Sequence, residues 1–102
     1  MVTYEVALET TPELAAALER YMRERHIPDI MTTGCFTAVH FERSSPEAFR
    51  TRYVAATRED LDRYLDAHTP VMRADFAAHF PEGITARRAV WDELQRWPAA
   101  TR

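Results

Sequence analysis

Two hydrophobic rhythms alternate along this chain, and their order limits the folds open to it. Val2, Tyr4, Val6 and Leu8 are separated by Thr3, Glu5, Ala7 and Glu9. A period of two marks a strand with one face on a core. Leu14, Leu18, Tyr21 and Met22 then fall at helical spacing, behind a start signal of Thr11, Pro12 and Glu13. His26 sits near the end of that helix, and Pro28 is expected to stop it. Residues 27–34 read as a connection in which Asp29 caps a turn and Gly34 closes it. Cys35 to Arg43 reads as the second strand, with Phe36, Ala38 and His40 on one side and Cys35, Thr37, Val39 and Phe41 on the other. Ser44-Ser45-Pro46-Glu47 is a turn cluster. Phe49 to Ala56 is the next strand, so the two form an antiparallel hairpin.

Thr57-Arg58-Glu59-Asp60 resembles a capping box, with Asp in the place of the usual Glu or Gln. Leu61, Leu65, His68, Met72, Phe76 and Phe80 follow as a helical stripe interrupted by Pro70. The helix either kinks there, or ends near Ala67 with a second helix starting at Thr69-Pro70. Ile84 to Leu94 is the last strand. The order is strand, helix, strand, strand, helix, strand. That is an α+β, ferredoxin-like βαββαβ arrangement: an antiparallel four-stranded sheet with its helices on one face. Its usual strand order is 4-1-3-2. Residues 1–96 form a single such domain and 97–102 a C-terminal tail.

Composition removes several function classes. The chain has 102 residues and a net charge of −3, with no basic footprint for nucleic acid. All 13 basic residues are Arg, which points to GC-rich codons and a bacterial source. Without Lys there is no Schiff-base or lysine general-base chemistry. The lone Cys35 excludes an internal disulfide and a multi-cysteine zinc site. No apolar run approaches the roughly 20 residues of a membrane span, and the N-terminus lacks the pattern of a secretory signal. A cytoplasmic protein that binds neither nucleic acid nor membrane is expected.

The helix-free side of the sheet carries the candidate ligand-binding residues. In the expected strand order Glu5 lies between the strands of Arg52 and Arg87, with His40 one strand beyond Arg52. Such a carboxylate would be held ionised by two guanidinium groups. Phe36 and Trp91 would add apolar area. The outer set of the third strand is either Arg50, Arg52 and Val54, or Thr51, Tyr53 and Ala55, because a one-residue slip exchanges them. A mixed face this wide suits a second sheet, so a homodimer through the sheet face is expected. Glu5, His40, Arg52, Arg87 and Trp91 could then take an acidic or carbonyl-bearing small molecule.

The candidates for chemistry are few. His40 could move a proton, and His26 and Asp29 could work as an acid–base pair. The plainer reading of that pair is a helix-end cation and a turn cap. Asp75 and His79, four apart, lack a third metal ligand, and neither a metal nor a cofactor is expected. Cys35 reads as a packed thiol and Tyr53 as a core aromatic.

Three segments carry a family resemblance. His26-Ile27-Pro28-Asp29-Ile30-Met31-Thr32-Thr33-Gly34-Cys35-Phe36 resembles the signature of the DUF4286 family. Tyr64-Leu65-x-x-His68-x-Pro70-x-x-Arg73 and Ala86-Arg87-Arg88-x-Val90-Trp91 are similar to it too. The family is bacterial and resembles the dimeric α+β barrel proteins, among them small monooxygenases, polyketide cyclases and haem-degrading enzymes. The resemblance implies the fold and the dimer. It implies no catalytic residue, because no motif here matches one. The sequence therefore predicts a homodimeric, non-catalytic small-ligand-binding or interaction module. The alternative is a cofactor-independent enzyme of the monooxygenase or cyclase type, working between the two sheets.

Overall fold

A computed structural model describes residues 1–100. Four strands form one antiparallel sheet: β1 (Val2–Thr10), β2 (Ala38–Ser45), β3 (Ala48–Ala55) and β4 (Ile84–Asp92). Their spatial order is β2-β3-β1-β4, the ferredoxin-like order expected from the sequence. Helix α1 covers residues 12–31, α2 is Arg58–Ala67 and α3 is Thr69–His79. Among the described residues no helix is long and apolar enough to cross a membrane.

The inward side chains of the strands meet the helices in two apolar clusters. Val2, Tyr4, Tyr53 and Ala55 pack with Ile30, Phe36, Leu61 and Tyr64. Leu8 and Phe49 pack with Leu18, Tyr21 and Met22. Leu18 and Leu61 are wholly buried, and removing each from water contributes roughly 1.5–3 kcal/mol. The same packing settles the facing of β3. Phe49, Thr51, Tyr53 and Ala55 point to the helices, so Arg50, Arg52 and Val54 point away.

Helix α1 does not stop before Pro28. It runs on to Met31 through the segment Ile27–Met31. Pro28 has no amide hydrogen for the carbonyl four residues back, and its ring would press on that carbonyl. The helix absorbs this with a π turn, Met22–His26, in which the Ile27 amide reaches back to Met22 O. Asp29 is thus a residue of the helix's last turns, and Gly34, with φ of +72°, follows them.

Strand β2 begins at Ala38, three residues later than the sequence suggested. Phe36 therefore escapes the alternation and turns inward, against Tyr53 and Tyr64 with ring centroids 5.3 and 4.9 Å away. Its expected place on the helix-free face is wrong. The last strand ends at Asp92 rather than Leu94, and residues 93–100 carry no regular element. Residues 101–102 of the expected tail lie outside the described residues.

The second helical region is divided at His68, the second of the two sequence alternatives. Its φ of −119° breaks the helix, and Pro70 takes an opening position of α3. Thr57 caps α2 as expected, its hydroxyl accepting the Asp60 amide at 3.2 Å. Thr11 forms no such cap on α1; Pro12 and the acidic Glu13 mark that start.

Candidate functional site

The helix-free face of the sheet is a grid of side chains fixed by strand register. One row crosses all four strands as His40, Arg52, Glu5 and Ala89. The next row reads Glu42, Arg50, Ala7 and Arg87. On the other flank lies the row Ala38, Val54, Thr3 and Trp91. The face is thus apolar at one end and charged at the other. All five residues expected to bind a ligand (Glu5, His40, Arg52, Arg87 and Trp91) sit on it.

The pairing among them differs from the sequence expectation. Glu42, not Glu5, collects the guanidinium groups. It accepts Arg50 Nε at 2.8 Å and Arg52 Nε at 3.0 Å, with a further Arg52 bond at 3.3 Å. These donors, Arg50 first, hold the Glu42 carboxyl below the usual carboxylate range. Glu5 keeps a single ion pair, 3.7 Å from Arg50. Arg52 faces Glu5 by register yet turns outward to Glu42, because β2 lies on its other side. Arg87, on the opposite edge strand, makes no ion pair with any described residue.

A groove of about 570 Å³ lies over the charged end, lined by Glu5, Ala7, Glu9, Glu42, Arg50 and Arg87 among others. Ala7 forms part of its floor, with Arg50 and Arg87 on the two flanking strands. His40, Arg52 and Trp91 lie outside the groove on the same face. His40 is exposed on the edge strand, and Trp91 keeps 58% of its surface open.

A second cluster joins α1 to α3 on the opposite side of the molecule. Tyr21 donates to Asp75 Oδ2 at 2.6 Å, and Arg25 binds both oxygens of that carboxylate at 3.1 and 2.8 Å. Tyr21 and Arg25 hold the Asp75 carboxyl below its ordinary range. Burial, followed by the Asp75 bond, pushes the Tyr21 phenol well above its own. His26 lies 3.4 Å from the Tyr21 hydroxyl and packs edge-on to Phe76. Its burial lowers the imidazole to about 4 against the opposing pull of Asp75 and Asp29, so it is neutral at pH 7.

His26 thus stands against the Tyr21 hydroxyl, while Asp29 is exposed. Asp75 spends its carboxylate on Tyr21 and Arg25, and His79 Nδ1 meets the Asp75 backbone oxygen at 2.9 Å. Among the described residues no three His, Cys, Asp or Glu groups are placed to hold a metal ion. The i,i+4 spacing of Asp75 and His79 was visible in the sequence; their partners on α1 were not. Cys35 is buried, and Arg63 Nε lies 3.4 Å from its sulfur, a neighbour with no sequence signal.

The fold has close counterparts among solved structures. A protein of unknown function from Nitrosomonas europaea is 18% identical, with 97% of this chain and 95% of that one aligned and a TM-score of 0.66. SnoaB, a cofactor-independent oxygenase from Streptomyces nogalater, is 15% identical over 96% and 97% of the two chains, with a TM-score of 0.69. An ethyl tert-butyl ether d (ethd) family protein from Bacillus halodurans is 15% identical over 92% and 100%, also at 0.69. At these identities the likeness establishes the ferredoxin-like α+β fold shared with monooxygenase-type proteins. No curated protein sequence matches the chain. Residues 1–94 match the family described as a domain of unknown function, DUF4286, and the chain belongs to that family.

Proposed function

We propose that this chain acts as a homodimeric binding module, with the helix-free faces of two sheets enclosing a site for a small anionic or carbonyl-bearing molecule. The groove over Ala7 carries this reading, with Arg87 unpaired on one flank and Arg50 on the other. A guanidinium without an ion partner beside a small-residue floor is ready to bind a carboxylate or carbonyl oxygen. The open Trp91 and the row of Ala38 and Val54 supply apolar surface at the other end. Neither His40, outside the groove on the same face, nor any group in the groove stands beside a reactive partner, which favours binding over catalysis.

Two measurements test the reading together. Light scattering behind size exclusion should give about twice the 11.8 kDa chain mass at micromolar concentration. The anionic aromatic probe 8-anilinonaphthalene-1-sulfonate should brighten on binding, and Arg87→Ala should abolish that signal. A monomer mass, or a probe signal indifferent to Arg87, would overturn it. Oxygen consumption on a hydroxylated aromatic would instead support the oxygenase alternative.

A further inference from the structure

The charge pattern of the free face is complementary to itself in one orientation only. Consider two copies face to face, related by a two-fold axis that runs parallel to the strands between β3 and β1. That operation lays β2 on the partner's β4 and β3 on the partner's β1, while each row of the grid stays level. Glu42 then faces Arg87 of the partner subunit, and Arg52 faces the partner's Glu5. Ala38 receives the partner's Trp91, and small Ala89 lies over the partner's His40. All of these positions follow from strand order and register.

Turning the axis through a right angle gives the opposite result. Each strand then lies over its own copy, and the arginines of β3 meet one another. Like charges set face to face cost several kcal/mol, so this arrangement is rejected. The first one gives Arg87 the carboxylate that its own described residues do not provide, and the remaining N–H donors of its guanidinium stay free for a ligand in the groove. Both arrangements keep the near-parallel alignment in which sheets commonly pack, so charge decides between them.

We propose that the chain pairs with a second copy in this orientation, joining Glu42 to the partner's Arg87 and Arg52 to the partner's Glu5. The charged groove thereby becomes a site walled by both copies, incomplete in one alone. The pairing rests on the dimer reading above, but its test is separate.

Arg87→Glu and Glu42→Arg chains are measured alone and as an equal mixture by sedimentation. Each alone places like charges at two symmetry-related contacts and should weaken dimerisation by at least about tenfold. Mixed, the two chains restore an opposite pair at both contacts, and the dimer should return. A second variant avoids disturbing Glu42. His40→Cys/Ala89→Cys should form a covalent dimer with a bis-maleimide cross-linker that spans the roughly 10 Å between packed sheets, while either single variant should not, because each cysteine faces the other type across the axis. A wild-type dimer whose mixture gains nothing, or whose double-cysteine chain stays uncrosslinked, would overturn the orientation and leave the dimer standing. A monomeric wild type would remove both.

Discussion

The Tyr21 hydroxyl donates to Asp75 Oδ2 across 2.6 Å, tying α1 to α3 over 54 residues of chain. Tyr21 is buried, stacked near His26 and edge-on to Phe76 and Phe80. The bond therefore fixes how the two helices meet, on the side of the sheet away from the groove.

Tyr21→Phe keeps the ring and removes the bond. A hydrogen bond to a charged acceptor contributes about 1.5–3 kcal/mol, so urea unfolding should shift by about that much at pH 7. Groove binding should be unaffected, because Phe keeps the ring in the cluster it shares with the groove residues Leu8 and Phe49. An unchanged midpoint would show that water replaces the phenol at Asp75.

Stability should fall on mild acidification through His26. Its folded value of about 4 lies below the ordinary 6.5, with burial as the main cause. Between those two values the unfolded chain holds more protons at His26 than the folded one. The contribution is thus complete above pH 6.5 and drains away as pH falls toward 4. Its full size is of order 3 kcal/mol. Tyr21, Asp75, Phe76 and Asp29 surround the ring, and Asp75 adds its own loss only at lower pH. Urea midpoints of the wild type should drop between pH 7 and 5, and His26→Leu should flatten that slope. A slope that survives the substitution would belong to another group.

The two glycines separate backbone strain from crowding. Both have positive φ, +72° at Gly34 and +88° at Gly83. A Cβ at Gly34 meets nothing within 4 Å, whereas one at Gly83 falls 2.6 Å from Leu14 Cδ1. Gly34→Ala should cost about 1–2 kcal/mol from the left-handed conformation alone. Gly83→Ala should cost somewhat more, since the Leu14 side chain must also swing aside. Thermal melts that rank the two the other way would refute the comparison.

Local signals in the sequence carry far in this chain. The period of two in Val2–Leu8, the Thr57 cap and the helical stripe through Leu61 and Leu65 each need only neighbouring residues, and each stands in the structure. Strand order is the usual one of the split βαβ architecture, which the spacing of the residues does not itself show. The failures have separate causes. Phe36 obeys the alternation of its neighbours, yet β2 starts after it and the core claims its ring. Pro28 carries a stop signal, yet a π turn ahead of it lets the helix continue.

The amino-acid order by itself determined which segments are strands and helices, because backbone propensity and hydrophobic period act over a few residues. It also determined the helix-free face of β1 and the bend at Gly34. Only the tertiary structure decided which carboxylate takes which arginine. Arg52 has Glu5 on one neighbouring strand and the β2 carboxylate of Glu42 within reach on the other, and a side chain with two partners at similar distance is settled by register and rotamer. The same holds for Tyr21 and Asp75: no local rule joins residues so far apart, and only packing α1 against α3 brings the phenol to the carboxylate.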